Sequence, residues 1–268
     1  MNEQMIIKEL YQYSLSYLKD SFQLKDNILF LVFQYLKNNI RFQFIIFDIS
    51  ETISYISNEE YKKHTIKIIQ KQIESVINEI IDESIVKKFT KLNDNLQIQL
   101  EKIYNMLAEN SDNPKEMENK EICKNCPYCC CERCGCEIKL EDIREEYRTK
   151  EGIKNLLDTG LIKIDCWDPD EQSDYEEIYF LRMTNLNDND LIFNMSYGGI
   201  CIFLSESGCL LPFKLRPTSG RHVIPAEDFC CTSPDSEQGS SKWCAAKSWN
   251  SEEYQDLFRE LIFEKCNF

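Results

Sequence analysis

The chain has 268 residues, 29% of them charged, and a formal charge of −15. That length builds a core without needing disulfide staples, and the acidic excess opposes a phosphate-binding surface, so no nucleic acid partner is expected. No uncharged apolar run approaches the roughly 20 residues a bilayer-spanning helix needs, so no membrane association is expected either.

Residues 1–112 hold 16 acidic and 13 basic side chains and contain no Gly, Pro, Cys or Trp. A stretch without either backbone breaker, with apolar residues every three or four positions, predicts packed helices. Ile7, Leu10, Tyr11, Ser14, Leu15 and Leu18 form one such face, and Ile66, Ile69, Ile73, Val76, Ile77 and Ile80 a second. Leu92, Leu96, Leu100, Ile103 and Leu107 form a third. Between the first two, residues 24–49 are apolar almost all round, the pattern of an inner helix. The expectation is a helical bundle of four or five members acting as a scaffold or dimerisation unit.

The polar stretch "ENSDNPKEMENKE" brings Pro114, the first breaker, and is the natural boundary. The organisation read from sequence is therefore a helical bundle over residues 1–112 and a cysteine-cluster domain over 113–268. The second part carries 30 acidic against 18 basic side chains and all fourteen cysteines. No cationic leader with a cleavage site opens the sequence, so the expected location is the cytoplasm, where thiols stay reduced and clustered cysteines bind metal or do chemistry.

The run "CKNCPYCCCERCGCE" places seven cysteines between residues 123 and 136. Cys123, Cys126 and then Cys129 or Cys130 have the C-x2-C-x2-C spacing that aims successive sulfurs at one centre, and thiolates are soft ligands suited to zinc or to iron–sulfur clusters. Adjacent side chains diverge, so Cys129, Cys130 and Cys131 suit two centres, a cluster with shared thiolates, or one site with a spare thiol.

Further along, "LEDIREEYRTKEGIKNLLDTG" has helical spacing ending on Gly160, "LIKIDCW" and "EIYFLRM" read as extended, and "GGICIFLSESGCLLPF" as two strands around a Ser-Gly turn. The expected fold class is α+β, an all-α bundle followed by a small mixed metal-binding domain. Cys201 and Cys209 flank the turn and are candidate ligands for the far side of the site, with Cys230 or its neighbour Cys231 as a further one. The acidic run "DCWDPDEQSDYEE" lacks the glycine and terminal glutamate of a calcium loop and reads as solvated.

The motif order resembles the YkgJ-type cysteine-cluster family, a zinc- or iron-chelating domain with the pattern C-x2-C-x2-C-C, here Cys123, Cys126, Cys129 and Cys130. The likeness continues through "EIKLEDI" and resumes at "GGICIFLSESGCLLPFKLRP", with Cys201 and Cys209 as the second cysteine pair and Arg216-Pro217 after it. It covers about residues 120 to 231. Where the family continues Arg-Pro-x-x-Cys-Arg, this chain reads "RPTSGR", with Gly220 in the cysteine's place and Arg221 after it. His222, Cys230 or Cys231 are the substitutes the sequence offers, or the metal keeps an open position.

A divalent ion with four thiolates carries a net charge of about −2, which Arg216 or Arg221 would offset through hydrogen bonds to sulfur. The expected function is thus a metal-binding protein with a protein or peptide partner. Its cofactor is iron or an iron–sulfur cluster, to which the excess of adjacent thiols tilts the reading, with zinc as the alternative. Two other readings stay open: a metal-dependent enzyme that modifies a peptide or protein, with methyl transfer as the activity suggested for relatives of the family, and a soft-metal store or sensor.

Overall fold

The computed structural model describes residues 3–56, 59–109, 136–167, 177–186, 188, 191–194, 199–205, 208–221 and 241–266. These form two compact units, Met1–Leu96 and Gln97–Phe268, and the division falls inside a long helix. The fold class is α+β, helices with a small antiparallel sheet.

Within the first unit lie α1 (Glu3–Phe22), α2 (Asp26–Lys37), α3 (Ile40–Ser54), α4 (Glu59–Ile80) and the start of α5 (Glu83–Met106). Helix α1 packs on α2, α3 and α4, and α3 on α4. Its buried stripe is Ile6, Leu10, Ser14 and Leu18, at a spacing of four residues, with Ile7, Tyr11 and Leu15 half-buried on its flank. The buried serine is satisfied by its own helix, its hydroxyl donating to the Leu10 carbonyl at 2.8 Å. From α4 come Ile69, Ile73, Val76 and Ile77, and each such side chain withdrawn from water contributes about 1.5–3 kcal/mol.

The stretch read as one inner helix, residues 24–49, is broken in two. Asn38 ends α2, and Asn39, in an extended conformation, caps α3 by accepting from the Phe42 amide at 3.2 Å. Two consecutive asparagines outweigh the apolar run around them because the Asn39 side chain satisfies a helix-start amide and the Asn38 side chain donates to the Gln34 carbonyl at 3.0 Å, bonds that the run cannot make. Helix α3 buries Phe42, Ile46, Ile49 and Ile53 and exposes Ile40, Phe44 and Phe47.

The second unit is built on three antiparallel strands in the order β1–β3–β2: β1 (Glu137–Ile138), β2 (Ile162–Trp167) and β3 (Ile178–Met183). Glu137 faces Arg182, Ile162 faces Met183 and Trp167 faces Ile178. The helical spacing expected to run to Gly160 resolves into two 3-10 turns, Leu140–Asp142 and Glu145–Tyr147, and only then α6 (Lys150–Asp158). Thr149 caps α6 by accepting from the Gly152 amide, and Gly160, at φ +71°, closes it in the left-handed conformation that glycine adopts without cost.

A second small sheet pairs β4 (Leu204–Ser205) with β5 (Gly208–Cys209), where the two-strand pattern was expected. After the turn Phe213–Leu215 come α7 (Thr218–Arg221), α8 (Ser241–Trp249) and α9 (Glu252–Cys266). Trp249 is fully buried, and its indole donates to the Ile138 carbonyl at 2.7 Å, pinning α8 across β1.

Candidate functional site

The cysteine run enters the described structure at its last member. Cys136 stands just before β1, and its carbonyl accepts from the Met183 amide at 2.9 Å, which extends the β1–β3 pairing by one residue. Two positions further along the same chain, Asn185 bridges Cys201. The β3 strand ends at Met183, so Cys136 pairs at its end and Cys201 at an isolated bridge beyond it. Cys201 is 3% exposed, while Cys136 and Cys209 are half-buried.

Cys209 closes the β4–β5 hairpin opposite Leu204. The Tyr104 hydroxyl donates to the next carbonyl, that of Leu210, at 3.0 Å, and burial followed by the nearby Cys209 sulfur pushes the Tyr104 pKa up. None of the described cysteines Cys136, Cys166, Cys201, Cys209 and Cys244 is in a disulfide.

Helix α7 follows directly on the Arg216-Pro217 step. Asp142, 2% exposed, accepts from the Thr218 amide at 2.9 Å, the Thr218 hydroxyl at 2.5 Å and the Lys139 amide at 2.9 Å. Arg221, equally buried, donates to the Thr218 hydroxyl at 2.9 Å and lies 3.7 Å from the Asp142 carboxylate. Burial raises the Asp142 carboxyl above its ordinary value, and Thr218, Lys139 and Arg221 pull it back. Ser219 donates to the Glu137 carbonyl at 2.7 Å, so α7 is tied to β1 on one side and to the Leu140–Asp142 turn on the other.

Gly220 stands between these anchors, and a Cβ built on it would lie 2.7 Å from the Cys136 sulfur. Arg216 is placed differently from Arg221: its Nε donates to the Leu211 carbonyl at 3.1 Å and its guanidinium sits 5.5 Å from the centre of the Phe213 ring, holding the turn before α7.

Of the residues expected to bind metal, Cys201 and Cys209 are described, whereas Cys123, Cys126, Cys129, Cys130 and Cys230 lie outside the described residues, as do Cys131, Cys231 and His222. Among the described residues no three side chains of His, Cys, Asp or Glu form a group able to hold an ion, so Cys136, Cys201 and Cys209 are not a complete site among themselves.

Two features escaped the sequence reading. Cys136 was one thiol among seven with nothing in the spacing to single it out, and Asp142 and Thr218, 76 positions apart, meet only through the fold. Among the described residues no helix is long and apolar enough to cross a membrane. No family model matches this chain, and no curated protein or solved structure is similar to it.

Proposed function

We propose that the second unit is a metal-binding module whose clustered cysteines hold an iron–sulfur or zinc centre. Cys123, Cys126, Cys129 and Cys130 supply one side, and Cys201 and Cys209, with Cys230, the other. What carries this reading is the density of thiols in C-x2-C-x2-C spacing, with soft sulfur donors of the kind that zinc and iron–sulfur centres use. Arg221 adds a buried positive charge in the strand-to-helix corner that Cys136 enters, of the sign an anionic thiolate centre favours.

Elemental analysis and an absorption spectrum of the protein purified without oxygen test the proposal. A brown protein with broad visible absorbance and acid-labile sulfide is the iron–sulfur outcome, and a colourless one with tightly held zinc the zinc outcome. C126S and C201S should each lower the bound metal. A folded, oxygen-free preparation without metal would overturn the reading.

A further inference from the structure

We infer that the outer face of α3 is the surface on which a second copy of this chain docks, antiparallel, to form a two-fold dimer. The inference is independent of the metal centre proposed above. Ile40, Phe44 and Phe47 recur at intervals of four and three residues, so they share one face of α3, and Tyr55 continues the line at its C-terminal end. These residues are 69, 71, 52 and 79% exposed. The opposite face already gives Phe42, Ile46, Ile49 and Ile53 to the core of the first unit. Packing within the bundle therefore does not account for the outer stripe.

The size of the stripe suits a protein partner. With about 200 Å² of surface on each aromatic side chain, the three rings at these exposures leave about 400 Å² in water, roughly half of the ~800 Å² that each partner contributes to a standard interface. That is the scale at which exposed apolar surface marks a contact. It would form the apolar centre, with charged residues as its rim.

The charges around the stripe choose the partner. Arg41 stands in the first turn of α3, and Asp48 and Glu51, both exposed, in its second half. The helix dipole favours the reverse order, yet α3 has no acidic residue in its first turn and no basic one in its last. Arg41 pairs with Glu79 on α4 at 2.6 Å and still keeps 59% of its side chain exposed. Laid antiparallel on a copy of itself across Phe44 and Phe47, α3 brings Arg41 of each chain toward Asp48 and Glu51 of the other, twice by symmetry, and sets the two dipoles head to tail. A parallel copy would place like charge on like. An apolar stripe alone suits any apolar partner, whereas a self-complementary charge order singles out a second copy.

Sedimentation equilibrium tests the inference on the full chain, reduced and free of oxygen so that none of its fourteen cysteines cross-links copies. The wild type should sediment at twice the 31.7 kDa of one chain. F44K/F47K should raise the dimer dissociation constant at least about thirtyfold, the effect of losing a central aromatic anchor. Its far-UV circular dichroism and urea midpoint should stay as in the wild type, because both rings are exposed. R41E and E51R should each weaken self-association several-fold, and an equimolar mixture of the two should restore it, since each copy then supplies the charge that the other lacks.

Should F44K/F47K fail to fold, the charge variants decide the matter. A wild type that stays monomeric throughout the micromolar range would overturn the inference. So would an unchanged dissociation constant in folded F44K/F47K, which would place the dimer contact elsewhere, or a mixture of R41E and E51R that associates no better than either variant alone.

Discussion

A single hydroxyl on α1 shows how local surroundings set a measurable property. Tyr13 donates to the Glu74 carboxylate on α4, and burial, followed by that hydrogen bond and the carboxylate's charge, pushes its pKa up to about 12. The folded protein then holds the phenol proton more tightly than the unfolded chain, whose tyrosines ionise near 10. The sign follows: the stability that this pair contributes is fully present below pH 10 and is lost as the pH rises through about 12. In a spectrophotometric alkaline titration E74Q should move one late-ionising tyrosine back toward 10, and Y13F should remove it. The contact was not legible in the sequence beforehand, because a Tyr and a Glu 61 positions apart on two amphipathic helices carry no mutual signal.

At the scale of the element, α6 shows a glycine retained against propensity. A Cβ at Gly152 would lie 2.3 Å from the Tyr147 carbonyl oxygen and 2.6 Å from its Cα, backbone atoms that cannot swing aside. The preceding 3-10 turn folds back onto the first turn of α6, and only a residue without a side chain admits that approach. G152A should therefore destabilise the protein by about 1–3 kcal/mol in urea denaturation, the cost of overpacking, despite the gain in helix propensity. T149A, which removes the cap on the Gly152 amide, should cost about 1 kcal/mol. Periodicity made α4 and α5 readable and placed β2 and β3, whereas the break at Asn38-Asn39 and the 3-10 turns depend on side chains bonding to nearby backbone, which hydrophobic spacing does not register.

Across the second unit as a whole, one buried cation ties the sheet to the chain that follows it. Arg182, 2% exposed on β3, donates from Nε to Asp165 on β2 at 2.8 Å and from both terminal nitrogens to Asp188, at 2.7 and 3.1 Å. It also donates to the carbonyls of Met183 and Asn194, and Asp188 in turn accepts from the Asn185 amide. Asn185 is the bridge partner of Cys201, so this network sets where that thiol sits. Removing one member leaves the others charged and buried, which costs about 3–5 kcal/mol. R182A should lower the urea midpoint by a corresponding amount when followed by tryptophan fluorescence, a probe of this unit alone because Trp167, Trp243 and Trp249 all lie in it.

The sequence by itself determined the helical character of the first hundred residues, the α+β class, the two central strands and the concentration of soft ligands. Each of these is written in local periodicity, in the distribution of Gly and Pro, or in spacing within a few residues. Only the tertiary structure decided that Cys136 meets Gly220, that Asp142 receives Thr218, and that Arg182 joins Asp165 to Asp188. Such contacts are made by residues whose separation along the chain says nothing about their separation in space. They arise when the sheet register and the packing of α7 against β1 bring distant backbone to within one atom's width, where the absence of a single Cβ becomes as informative as the presence of a thiol.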